Sequence, residues 1–307
     1  MKKSIFWLIL LALFLSALAS CAIFSPVVRS KAGLVDGLGR AYAPEVPAQR
    51  IITLSPPLTE MLFAIGAGEQ VVGRDSFSDY PETALALPDV GGGLSEYNLE
   101  AILSLEPDLV IAGSINTPEL VQSLEDLGLT VFYLSNPVDL QGTFTAIQTL
   151  GILSGHEPQA IQLVSALEKR VAAVTAALQD VQEHPSVYYE LDASDPSKPY
   201  TPGPGTFYSD LIAKAGGENI GEALRTEWAQ ISLEELLVLD PHIIILGNAK
   251  WGVTPASLQD RPGWASLSAL QAGRVIPFND DLIARIGPRQ VDGLEALAKI
   301  LHPQQFE

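Results

Sequence analysis

Residues 98–113 read NLEAILSLEPDLVIAG, and residues 232–247 read SLEELLVLDPHIIILG. Seven of the sixteen positions are identical, among them Leu-Glu at the second and third, Pro at the tenth and Gly at the last. Each copy opens on a residue suited to capping a helix, Asn98 or Ser232, and continues with leucines at helical spacing. A proline then stops the helix, and a short apolar run follows that suits a buried strand. The same helix, stop and strand, met again 134 residues later, predicts two similar lobes. Chance likeness of two unrelated helix–strand units is the alternative.

Reading outward from the two copies favours duplication. Before the first copy, RIITL (50–54) is β-rich, and SPPLTEMLFAIGAG (55–68) offers a cap, a proline at the helix start and glycines at its end. VVG (71–73) is a second short strand. After the first copy come a helix near 117–127 and a strand near 130–134. Alternation of strand and helix argues for a parallel sheet covered by helices. The pattern restarts at VYYEL (187–191), passes a helix ending in glycines at 206–217, reaches the second copy, and closes with RVIPF (274–278) and a helix from about Pro288 to Leu301. Between the two series, 139–154 reads as helical. Residues 157–184 then carry apolar side chains at Ile161, Val164, Leu167, Val171 and Val174, the stripe of a long amphipathic helix. The predicted fold class is therefore α/β: two similar lobes, each a mostly parallel sheet flanked by helices, joined by one long α-helix. The first lobe spans 50–138, the helical linker 139–184 and the second lobe 185–307.

The N-terminus reads differently. Lys2 and Lys3 precede an apolar run from Ile5 to Leu15, then small residues and LASC (18–21). This is the order of an export signal. The chain's single cysteine, Cys21, stands where a bacterial lipoprotein signal places its lipidated residue. An uncleaved anchor is the alternative, since the stretch from Ile5 to Phe24 is barely long enough to span a bilayer. Either way the chain is expected to be exported and tethered, at the outer face of the cell membrane or in the periplasm. Residues 22–49, with scattered Pro and Gly, read as a flexible tether.

Composition narrows the function. The formal charge is −18, which repels nucleic-acid phosphates, so no nucleic-acid partner is expected. No catalytic residues are assigned: the sequence has no G-x-S-x-G and no P-loop, and no thiol beyond Cys21. The four histidines are scattered, each within two residues of a proline, and no pair has metal-ligating spacing, so no metal site or resident cofactor is assigned. A haem iron held by one tyrosine or histidine stays open. Two lobes leave a cleft, and ligands favour the carboxyl ends of parallel strands. The loops there carry Phe77, Tyr80, Tyr97, Tyr189, Tyr200 and Arg285, with Trp228 just before the second copy. An aromatic-lined cleft suits a large, flat, partly apolar small molecule. For any one ring, plugging the core beneath its loop is an equal alternative.

Four stretches, RIITLSPPLTEMLFAIGAGEQVVGRDSFSDYP, NLEAILSLEPDLVIAG, TEWAQISLEELLVLDPHIIIL and DLIARIGPRQVDGLEALAKILHP, together resemble the substrate-binding proteins of bacterial ABC importers for vitamin B12, iron-siderophores and haem. The resemblance spans about residues 50–303. It implies two α/β lobes bridged by one long helix, with little closure on ligand. It implies that Glu100 and Glu234 are lobe-top glutamates facing arginines of the permease dimer. It places Phe77, Trp228 and Arg285 on ligand-contacting positions. GGGLSEY (91–97) departs from the vitamin B12-binding pattern, standing in place of a Trp-bearing stretch. The expected function is a lipid-anchored binding protein delivering a corrinoid, with ferric siderophore or haem as the alternative ligand. An exported enzyme and a sensory or adhesive module are the rivals from other classes.

Overall fold

The computed structural model describes residues 33–43 and 46–306; the leader and Cys21 lie outside the described residues. The chain forms a small hairpin of β1 (Leu34–Val35) and β2 (Ala41–Tyr42), then the first lobe: β3 (Ile51–Thr53), α1 (Pro56–Ala64), β4 (Val71–Arg74), α2 (Leu99–Ser104), β5 (Leu109–Gly113), α3 (Pro118–Asp126) and β6 (Val131–Leu134). Two helices follow, α4 (Leu140–Ser154) and α5 (Glu157–Leu178). The second lobe holds β7 (Ser186–Glu190), β8 (Tyr200–Pro202), α6 (Phe207–Lys214), β9 (Glu218–Asn219), β10 (Trp228–Gln230), α7 (Leu233–Leu239) and β11 (Ile243–Leu246). It ends with α8 (Pro255–Gln259), α9 (Ser268–Gln271), β12 (Val275–Pro277), α10 (Asp281–Ala284) and α11 (Gln290–Leu301).

The two main sheets have one topology. The first is ordered β4-β3-β5-β6 and the second β9-β7-β11-β12, so each lobe places its second strand outside its first, then its third and fourth on the other side. Every pairing within them is parallel. The repeated stretches become α2–β5 and α7–β11, the same station in each lobe. Even the turn between helix and strand is copied. Glu106 (φ 46°) and Asp240 (φ 37°), matched residues before the two prolines, are the two non-glycine residues with positive φ among those described.

Strand side chains alternate between two apolar layers, as the period of two dictates. Ile51, Leu109 and Ile111 from the first sheet join Val187, Tyr189, Ile243 and Ile245 from the second in one core, shared with α1, α4, α5, α6 and α11. Ile52, Val110 and Ala112 face an outer layer of the first lobe, and Tyr188, Ile244 and Leu246 an outer layer of the second. Both sheets are thus covered on both faces, as parallel sheets require. Helices α4 and α5 turn on Gly155 in the left-handed conformation (φ 76°) and pack closely at Gly151, where an added Cβ would stand 2.6 Å from that of Ala160.

Two expectations are corrected. Residues 34–43 are not flexible tether: Asp36 is buried, Arg40 links it to Glu125, and the Gly37 amide donates to the Tyr133 carbonyl at 2.7 Å. The hairpin thereby extends the first lobe. The long helix ends at Leu178 rather than 184, because beyond that residue the chain turns polar and only Val181 still packs on the core.

Candidate functional site

Loops at the carboxyl ends of the two sheets meet, with Arg285 of the second lobe reaching the Phe77 carbonyl of the first. From the first lobe comes the 75–80 loop, fixed from beneath by a buried polar ladder. The Asp75 carboxylate accepts the Phe77 amide (2.9 Å) and the Ser78 hydroxyl. Ser78 meets Thr59 at 2.8 Å, and Thr59 meets Thr53 at 2.6 Å. Burial pushes the Asp75 carboxyl above its ordinary range, with Ser78 and the Phe77 amide holding it partly back. The loop presents Phe77 and Tyr80, which are 47% and 46% exposed. The glycines of GGGLSEY explain how the rings lie so close to backbone. Gly92 and Gly93 take φ of 90° and 69°, and a Cβ on them would collide with the rings of Tyr97 and Phe77 at 2.5 and 2.4 Å.

The second lobe offers an aromatic stack. Trp228, 48% exposed, lies over Phe207 and Tyr208 with centroid separations of 5.8 and 5.9 Å. Tyr208 packs on Tyr189 at 5.0 Å, and both hydroxyls donate to the same oxygen of Asp280, each at 2.8 Å. Burial raises the Asp280 carboxyl and both phenols, the two tyrosine hydrogen bonds pulling Asp280 back in part.

Two arginines of the second lobe reach the first. Arg285 donates to the Phe77 carbonyl at 2.8 Å and pairs with Asp79 at 3.1 Å and with Asp281 at 3.5 Å. Arg289 donates from Nε to the buried Glu60 at 2.8 Å, with a second bond from its Nη2, while its guanidinium stands 4.1 Å from the Tyr80 ring centroid. Burial pushes the Glu60 carboxyl up, and the Arg289 hydrogen bonds oppose the shift.

The structure therefore brings Phe77, Tyr80 and Arg285 to one rim, and leaves Trp228 half exposed on the other lobe. Two expected ligand residues are corrected. Tyr189 is fully buried, because β7 turns it toward the shared core. Tyr97 is only partly exposed, and its hydroxyl is spent internally: it donates to the Leu54 carbonyl at 2.8 Å and accepts from Asn116 at 2.8 Å, and burial pushes its pKa up to about 12. Glu60, Phe207, Tyr208, Asp280 and Arg289 escaped the sequence reading. Thr206 capping α6 beside Phe207 and Tyr208 was the available signal.

The remaining chemistry-bearing residues lie elsewhere. His184 and His302 both donate to the Gly216 carbonyl at 3.0 Å, and His242 bonds Ser186, all at the amino ends of the second lobe's strands. Among the described residues no group of three or more His, Cys, Asp or Glu is arranged to hold a metal ion. Glu100 and Glu234 occupy the second positions of α2 and α7. Asn98 accepts the Ala101 amide at 2.9 Å, and Ser232 forms a capping box with Glu235. Glu235 is thus engaged, while Glu100 and Glu234 are exposed and make no hydrogen bond or ion pair among the described residues. Each helix runs against the strand that follows it, so both carboxylates stand at the cleft end of their sheets.

The sequence pattern of a family described as "Periplasmic binding protein" matches residues 51–282. The "Uncharacterized ABC transporter substrate-binding lipoprotein YvrC" of Bacillus subtilis (strain 168) is 29% identical over 264 residues, covering 84% of this chain and 82% of that one. The "Cobalamin-binding protein" of Halobacterium salinarum is 30% identical over 279 residues, 87% of this chain and 73% of the relative. Among solved structures, the periplasmic heme-binding protein RhuT of Roseiflexus sp. RS-1 superposes with a TM-score of 0.75 at 27% identity, covering 84% of this chain and 99% of that one.

Proposed function

The chain belongs to the periplasmic binding protein family, and from that premise we propose that it captures a corrinoid between its lobes and passes it to an ABC importer. Its relatives are binding proteins of such importers rather than enzymes, so this chain is a solute-binding protein. What remains to be argued is the ligand. One observation carries the corrinoid reading: half-exposed rings stand on both lobes, Phe77 and Tyr80 on one and Trp228 on the other. A broad macrocycle offers two apolar faces to such walls, and a polar edge to the Arg285–Asp79 pair at the rim. The cobalamin-binding relative supports the same class. A second reading, haem, is favoured by Tyr80, whose phenol is exposed and whose ring carries the Arg289 guanidinium. A tyrosine oxygen is one of the protein ligands that hold haem iron.

Titration of the purified protein with cobalamin and with haemin, followed by absorbance and calorimetry, separates the two. Cobalamin is expected to bind, and Trp228→Ala to weaken it by about 1–3 kcal/mol. Haemin binding abolished by Tyr80→Phe, with cobalamin ignored, overturns the corrinoid reading in favour of haem.

Glu100 and Glu234 are proposed to receive one cation each from the two halves of the importer's membrane dimer, which their exposure and their matched stations support. Cys21 is proposed to carry the lipid that tethers the protein outside the cytoplasm. Cys21→Ala is expected to shift the protein from the membrane to the soluble fraction, or to leave an unprocessed precursor. An Ala variant processed and retained like wild type counts against lipidation.

A further inference from the structure

Two cavities of the second lobe run into each other through Ala223, Leu224 and Glu235, which line both. The larger, of about 640 Å³, opens beside Tyr200, Arg225 and Trp228. The smaller, of about 300 Å³, is walled by Glu234, Val238 and Leu239. Together they form one groove from the ring at the ligand cleft to the carboxylate at the top of α7. Its shelf is apolar at Leu224, Val238 and Leu239, and its rim carries Glu234 and Glu235 at one end and Arg225 at the other. Val238 is 84% exposed, one helical turn from Glu234 on the same face of α7. Glu222 and Glu234 stand exposed nearby, and Glu235 is held by its cap. A contiguous apolar surface beside an unpaired carboxylate marks a contact site.

The repeat sharpens this. In the first lobe the residue matched to Val238 is Ser104, and the exposed apolar side chain on that helix, Leu103, is 38% exposed against 84% for Val238, so the apolar shelf is broader in the second lobe. The glutamate stands in both copies, and the more exposed apolar side chain stands in the second.

We propose that this groove seats a loop of the importer's membrane subunit, with an arginine or lysine of the loop on Glu234 and an apolar side chain of the same loop against Leu224, Val238 and Leu239. The proposal rests on Glu234 being a docking residue and deepens that reading. The occupant follows from charge complementarity with the acidic end of the rim and from continuity with Glu234. That acidic end disfavours an anionic lipid surface. Because the groove opens beside Trp228, a loop seated there reaches the wall of the ligand cleft without entering the cleft mouth.

The test measures binding of the ligand-loaded protein to its cognate importer in nanodiscs, alongside ligand titration and sedimentation. Val238 is exposed, so Val238→Asp is expected to fold normally and keep ligand affinity within about twofold, while docking weakens about tenfold through loss of the apolar contact. Glu234→Arg, run in parallel, is expected to weaken docking as well. If Glu234→Arg weakens docking and Val238→Asp does not, the groove proposal falls and the docking carboxylate stands. If neither does, both fall. Weaker ligand binding in Val238→Asp overturns the proposal by placing the shelf in the ligand site. A wild-type dimer in sedimentation that Val238→Asp abolishes, with docking unchanged, overturns it in favour of self-association.

Discussion

Arg289 belongs to the second lobe, yet its closest partners, Glu60 and the Tyr80 ring, belong to the first. Glu60 is 2% exposed in its side chain, so removing the guanidinium leaves a buried carboxylate alone. Arg289→Met is therefore expected to lower the unfolding free energy at neutral pH by about 3–5 kcal/mol. Glu60→Gln in the same chain should recover much of that loss. The pH dependence has a definite sign. Burial already holds the Glu60 pKa above its ordinary value, and without Arg289 it climbs further. A carboxyl raised in the folded state loses stability as pH rises through that raised value. The deficit of Arg289→Met should thus be larger at pH 7 than in the ordinary carboxylate range, shrinking as pH falls toward it. Urea unfolding across that window checks it; a deficit that grows on acidification refutes the argument. Residues of this kind are hard to read in sequence. Arg289 sits 229 positions from Glu60, and nothing local distinguishes it from a solvated helix-start arginine. Tyr189 fails for a different reason. Loop proximity made it a ligand candidate, whereas burial of both sheet faces made it core.

At the scale of elements the repeat was largely legible. Caps, leucine spacing and prolines are local features, and local features mark the station of α2–β5 and α7–β11. What the letters did not disclose is the shared left-handed turn at Glu106 and Asp240, because an acidic residue before proline is ordinarily extended. The two turns should respond oppositely to glycine. Glu106 is exposed and its carboxylate makes no hydrogen bond or ion pair among the described residues. Glu106→Gly is expected to leave stability unchanged or raise it by as much as about 1 kcal/mol, relief of strain being set against a freer unfolded chain. Asp240 also accepts the amide and hydroxyl of Ser268, capping α9. Asp240→Gly should cost about 1–3 kcal/mol. Equal effects in chemical denaturation would show that the turns, though matched in conformation, do not differ as their hydrogen bonds imply. The β1–β2 hairpin was illegible for a related reason: two-residue strands carry no period, and their order comes from Asp36, Arg40 and Glu125, residues far apart in the chain.

For the whole molecule, the matched sheets put Glu100 and Glu234 at equivalent points of two lobes held by one core. Reversing both charges leaves that core and the cleft rings untouched. The double variant Glu100→Arg, Glu234→Arg is expected to keep ligand affinity within about twofold while uptake in reconstituted vesicles collapses, each single reversal giving a partial loss. Undiminished uptake by the double variant removes the docking role.

The shared core has a consequence for how the chain leaves the cell's interior. Helix α11, the last long element, closes it. Thr143 of α4 bonds Gln290 at 2.8 Å, Arg170 of α5 pairs with Asp292 and Glu295 at 2.6 and 2.8 Å, and Leu294, Leu297 and Leu301 fill the layer between the sheets. Until residues 290–301 arrive, the shared core lacks Leu294, Leu297 and Leu301, and α4 and α5 lack these polar partners. A chain threaded outward from its N-terminus therefore completes this core only when its last long helix has passed.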